Sequence, residues 1–204
     1  MSQSPSKSPR TMGLRRAAPL AGLAAFSLLV APVAQAAPAQ EAPARASLAL
    51  PQIVECVGSS TITYNPGLKT TPQSVTSQNN STYSLCRNIL GPTVQLGAGS
   101  GSGNVTLPNA SCSGALNPGS NLVETFDFSD NTHSTVQFTE VTLQPGQANT
   151  VATRFGTVVS GRFNGAIAVK VTTYVNTQVT QGCGSPSGLT SISGPTTLTF
   201  IKLN

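Results

Sequence analysis

One histidine, His133, and six acidic residues are all that this 204-residue chain offers to acid–base or metal chemistry. The densest polar group is Asp127, Asp130 and His133, within seven positions of one another. Carboxylate and imidazole ligands on one hairpin can converge on a divalent ion. The plainer reading, which we prefer, is a polar turn, because Asp and Asn accept turn geometry and Asp127 alternates with Phe126 and Phe128. A hydrolase would need His133 beside a nucleophile. No GxSxG elbow occurs, and nothing singles out one serine among many. Glycoside hydrolysis needs two carboxylates about 5–10 Å apart. Glu55, Glu124, Asp127, Asp130 and Glu140 are available, and no pair stands out. The run GAGSGSG at 97–103 lacks the Gly-Lys-Ser/Thr that closes a phosphate loop. These residues point to a chain that is not an enzyme and has no cofactor or metal.

Binding chemistry has more material. Sugar-binding modules stack aromatic rings on sugar faces. The chain has no Trp, which leaves Tyr64, Tyr83 and Tyr174 as the ligand-contact candidates. Tyr174 falls opposite the apolar positions of its segment, so it is expected at the surface. Three tyrosines make a platform only if they converge, and scattered cross-strand pairs are the alternative. The charged fraction is 8%, and Lys7, Arg10, Arg15 and Arg16 leave with an export signal. What remains is nearly neutral, which argues against a nucleic-acid partner.

The first 36 residues have the parts of a signal peptide: a basic start, an apolar run at 20–34, and Ala34-Gln35-Ala36 as a cleavage site. Residues 37–50 read as an Ala- and Pro-rich leader, and 51–204 as the folded domain. The expected location is outside the cell, with no membrane span in the mature chain. Cys56, Cys86, Cys112 and Cys183 then read as two disulfides. Three pairings are possible. We favour Cys56–Cys86 and Cys112–Cys183, because antiparallel pairing of 56–64 with 78–86 sets the first two cysteines opposite one another.

The elements that must position these residues are strands. Val, Ile, Thr, Tyr and Phe runs alternate with Gly, Pro, Asn and Ser. Strands are expected at 53–64, 73–78, 81–87, 104–112, 120–128, 134–143, 151–163, 165–179 and 196–203. At 151–163 the apolar positions Val151, Phe155, Val159 and Phe163 are expected to face inward. On the return strand Ile167, Val169, Val171 and Val175 should do the same, with Lys170, Thr172 and Asn176 outside. Asn164-Gly165 signals a tight type I′ hairpin, and Asp130-Asn131 a second turn. At Thr139-Glu140 the apolar phase slips by one, which predicts a β-bulge. Polar, Gly- or Pro-bearing loops at 65–72, 97–103 and 184–195 are candidate recognition loops. This pattern predicts an all-β, disulfide-stapled antiparallel β-sandwich, with a closed β-barrel as the alternative.

The pattern resembles a group of small exported Ig-like proteins of high-GC Gram-positive bacteria with no established activity. The resemblance rests on Cys56-x-Gly58, TITYNPGL (61–68), YSLC (83–86), the SC at 111–112, FDFSDNTHST (126–135), GRFNG (161–165), Cys183 and GLTSISGPTTLTF (188–200). It departs at Phe126, where relatives frequently have Trp. It implies export and an Ig-like fold and supplies no catalytic residue. The expectation is therefore a secreted, non-catalytic binding or structural module whose partner is a cell-wall glycan or an extracellular protein. A secreted protease inhibitor ranks second, and a hydrolase using His133 third.

Overall fold

The computed structural model describes residues 51–91, 95–117 and 121–203. The signal peptide and leader expected at 1–50 lie outside the described residues. Eight strands run in chain order: β1 (Gln52–Leu68), β2 (Gln73–Leu90), β3 (Gln95–Ala110), β4 (Leu122–Phe128), β5 (His133–Pro145), β6 (Asn149–Gly161), β7 (Ile167–Val175) and β8 (Leu189–Lys202). A 3-10 turn at Cys112–Gly114 follows β3, and a helix, α1 (Asn176–Gly184), separates β7 from β8. Each strand pairs antiparallel with the next, and β1 pairs with β8 from Gln52–Lys202 to Leu68–Leu189. The sheet therefore closes on itself. The expected two-sheet sandwich gives way to the alternative, a barrel, because the first and last strands find one another and leave no edge open.

Both disulfides pair as favoured, Cys56–Cys86 and Cys112–Cys183. Cys56 and Cys86 are register partners on β1 and β2. The bulge expected at Thr139-Glu140 is present: the β5–β6 register shifts between Phe138 and Glu140.

Other expectations change. The two strands foreseen at 73–78 and 81–87 are one strand, β2, in which Val75, Ser77, Asn79, Ser81 and Tyr83 alternate inward without a turn. The stretch 97–103 is part of β3, not a loop. Gly99, Gly101 and Gly103 lie on the inner face, and Ser100 and Ser102 on the outer. A Cβ on Gly101 would lie 2.5 Å from the Phe126 ring, and one on Gly103 would strike the backbone of β4. The glycines make room for Phe126, which fills the barrel at that level. Much of 184–195 is strand as well, with Leu189 and Ile192 buried. The β6–β7 connection spans 162–166 rather than two residues. Gly165 N–H donates to Val158 O at 2.8 Å and Ala166 N–H to Phe163 O at 2.8 Å. This wider turn drops the Phe163 ring into the barrel mouth, stacked on Phe200 with centroids 4.8 Å apart.

The largest correction concerns which face is inside. On β6, Ala152, Arg154, Gly156 and Val158 are buried, while Phe155 and Val159 are 37% and 48% exposed. On β7, Ala168, Lys170, Thr172 and Tyr174 are buried, and Ile167 and Val175 are exposed. A narrow barrel favours small side chains, or polar ones that satisfy each other, on its inner face. The β-branched residues sit outside, where they still suit a pleated surface.

The interior has three levels. One apolar cluster holds Phe126, Phe128, Phe138, Phe163 and Phe200 with the Cys56–Cys86 bridge. A second holds Ile62, Tyr64, Leu68, Leu189 and Ile192. Fully burying each such side chain contributes roughly 1.5–3 kcal/mol. Between them lies a polar layer.

Candidate functional site

The polar layer is built from five strands, β1, β2, β4, β6 and β7. Glu124 on β4 is fully buried and accepts from partners on both oxygens. Oε2 receives Lys170 Nζ of β7 at 2.7 Å. Oε1 receives Arg154 Nη1 of β6 at 3.4 Å and a short hydrogen bond from Asn79 Nδ2 of β2. Lys170 Nζ also donates to Ser81 Oγ at 2.9 Å, Ser81 Oγ to Ser60 Oγ at 3.1 Å, and Ser60 Oγ to Asn79 Oδ1 at 2.9 Å. Phe126 roofs the group, with its ring centroid 5.9 Å from Lys170 Nζ.

Arg154 and Lys170 are direct cross-strand partners. Like charges in that position repel, so an acid from a third strand is required, and Glu124 supplies it. Two cations against one carboxylate leave the layer short of negative charge. Burial pushes the Lys170 ammonium down to about 8, partly opposed by Glu124. Arg154 Nε and Nη2 are buried without a hydrogen-bond partner.

All three tyrosine candidates line the interior: Tyr64 is 4% exposed, Tyr83 3% and Tyr174 0%. Tyr174 is thus corrected from surface to core, since β7 turns its polar face inward. The rings do not form an outer stacking platform. Burial raises the hydroxyl pKa of each above the ordinary tyrosine value. Tyr64 donates a short hydrogen bond to Ala115 O, anchoring the segment after β3. The Tyr83 and Tyr174 hydroxyls lie near Ser81 and Thr172 but complete no hydrogen bond of good geometry.

The Asp127–Asp130–His133 group sits on the β4–β5 hairpin. Asp127 and His133 are register partners on the outer face. Asp130 turns away. Its Oδ1 accepts from Thr132 N at 3.1 Å and Thr132 Oγ1 at 2.6 Å, and Oδ2 pairs closely with Arg162. The Thr132 hydroxyl first, then the Thr132 backbone N–H and Arg162, hold the Asp130 carboxyl below its usual range. Among the described residues no three His, Cys, Asp or Glu side chains are placed to hold a metal ion.

The two ends of the barrel differ. Where the Cys112–Cys183 bridge joins the 3-10 turn to α1, an open pocket of about 310 Å³ lies between Leu116, Leu143, Pro145 and Val179. Thr150 and Asn176 form its polar side, joined by a 2.7 Å hydrogen bond. Asn176 Nδ2 also donates to Gly146 O at 2.9 Å, tying the β5–β6 turn to the start of α1. Pockets in the mouths of β-barrels, apolar with a few placed polar groups, are common ligand sites.

Neither the polar layer nor the pocket was singled out from sequence. A signal for the layer exists. In a chain with few charges, Arg154 and Lys170 sit mid-strand among β-branched residues, on the two strands that flank the Asn164-Gly165 turn. The pocket depends on contacts between segments distant in sequence and leaves no local mark.

No helix among the described residues is long and apolar enough to cross a membrane. A spanning barrel would need an apolar belt around its whole circumference, and the exposed face of β2 is Ser74, Thr76, Gln78, Asn80, Thr82 and Ser84. Two disulfides fit an oxidising, extracellular environment. No family model, curated protein or solved structure matches the chain.

Proposed function

We propose that this chain is a secreted, non-catalytic binding module, a rigid barrel that presents the pocket at its Cys112–Cys183 end to a cell-surface or extracellular partner. The observation that carries the reading is the pocket itself. It is apolar, open, bordered by the longest connections of the barrel, and fixed by a disulfide and the Asn176 hydrogen bonds. Its size and lining suit a small apolar group bearing one hydrogen-bonding function, displayed on a wall polymer or a protein. The rest of the interior is filled with side chains, so recognition belongs to the rim.

Purified, oxidised 37–204 mixed with the producing organism's cell-wall fraction across a salt series tests this. Depletion from solution that survives high salt is the expected result. No depletion at any salt sinks wall binding and turns the search to soluble partners in culture fluid.

A protease inhibitor draws less support. Such proteins present an extended loop, and the 184–188 segment folds back on itself, with Ser185 Oγ 2.8 Å from Gly182 O and 2.9 Å from Gly188 O, either of which can accept its one hydroxyl proton. His133, exposed and opposite Asp127, has no nucleophile arranged beside it among the described contacts.

A further inference from the structure

Lys170, Glu124 and Asn79 carry chemistry that a binding module does not use. A primary amine, a carboxylate and a carboxamide, from β7, β4 and β2, are held together in the closed interior. One carboxylate grips both reactants, the amine on Oε2 and the carboxamide nitrogen on Oε1. Ser60 Oγ donates to the carboxamide oxygen at 2.9 Å. We propose that Lys170 and Asn79 become joined by an autocatalytic isopeptide bond across the barrel interior, with Glu124 as the proton carrier.

The step balances without an external reagent. The lone pair of Lys170 Nζ attacks Asn79 Cγ and forms the Nζ–Cγ bond. Charge gathers on Oδ1, where the Ser60 hydroxyl already donates. Glu124 takes the Nζ proton and delivers a proton to Nδ2. The Cγ–Nδ2 bond breaks, its electron pair leaves with nitrogen, and ammonia is released. Glu124 ends as it began, nothing is oxidised or reduced, and the product is a secondary amide between β7 and β2.

Three features of the layer favour this. Amines react as the free base, and burial brings Lys170 down to about 8, so a usable neutral fraction exists near neutral pH. The folded barrel holds the groups together, which replaces a bimolecular encounter by an internal one. Phe126 roofs the layer, which keeps the groups away from competing water.

The test is the intact mass of the purified mature chain, reduced and denatured, with a protease digest of the same sample. The expected mass is that of the sequence less one ammonia. The digest should contain one branched peptide joining the Lys170 and Asn79 segments. Lys170→Arg keeps the charge and lacks the nucleophile, and Glu124→Gln lacks the proton carrier. Both are expected at full sequence mass with no branched peptide. If either variant fails to fold, the wild-type spectrum still decides. Full sequence mass in the wild type, with Lys170 and Asn79 recovered in separate linear peptides, overturns the proposal.

Discussion

The two ends of the barrel solve opposite problems. At the Cys56–Cys86 end the β4–β5 and β6–β7 connections are short turns, and the mouth is plugged by Phe128, Phe163 and Phe200, whose rings meet edge-on or stacked. At the Cys112–Cys183 end two of the connections are longer, one containing the 3-10 turn and one α1, and a pocket remains between them and the β5–β6 turn. Aromatic rings close an end by burying large area in fixed geometry. A disulfide fixes an end without filling it. On the proposed reading, the first end holds the fold and the second presents the recognition surface.

Breaking the aromatic end should have the largest effect. Phe126 packs against Tyr83, Phe138 and Phe200, so Phe126→Ala is expected to cost about 4 kcal/mol, read from denaturant unfolding. Any chain that remains folded should still bind its partner. Removing the other staple, Cys112→Ser with Cys183→Ser, opens a constraint with a sequence separation of 71. The expected loss is about 3 kcal/mol, and here binding should fall together with stability. Leu143 is 37% exposed at the pocket. Leu143→Asp is expected to leave unfolding within about 0.5 kcal/mol while weakening partner retention by about tenfold, roughly 1.4 kcal/mol. The smallest effect belongs to Asp130→Asn at the aromatic end, about 0.5 kcal/mol for a solvent-exposed pair. Because the folded carboxyl titrates below its ordinary range, the wild-type advantage is present above pH ~4 and disappears as pH falls through the folded value. Urea titrations at pH 7 and at pH 2.5 would read it.

Strand content, the disulfide pairing and the Thr139 bulge were legible because each leaves a local mark in alternation or spacing. The faces of β6 and β7 were not. Alternation reveals two faces but does not say which is inner, and the usual assumption, apolar inside, fails when Arg154 and Lys170 can share Glu124. The run 97–103 was misread for a related reason. Gly-Ser repeats are loop-like in isolation, and only the Phe126 ring explains why glycine belongs on the inner face of β3. The barrel is closed by β1 with β8, a pairing between the two most distant strands of the chain, and no short-range pattern encodes it.

The division of labour between the two ends is tested most directly by one side-by-side measurement. Wild type, Leu143→Asp and Ile167→Asp are incubated with the cell-wall fraction at high salt, and the protein left in solution is quantified. Ile167 is 45% exposed and begins β7 beside the aromatic end, so it controls for a new surface charge away from the pocket. Retention of wild type and Ile167→Asp, with Leu143→Asp left in solution, is the predicted result. Equal retention of all three, or loss of retention only with Ile167→Asp, would contradict a binding site at the Cys112–Cys183 end.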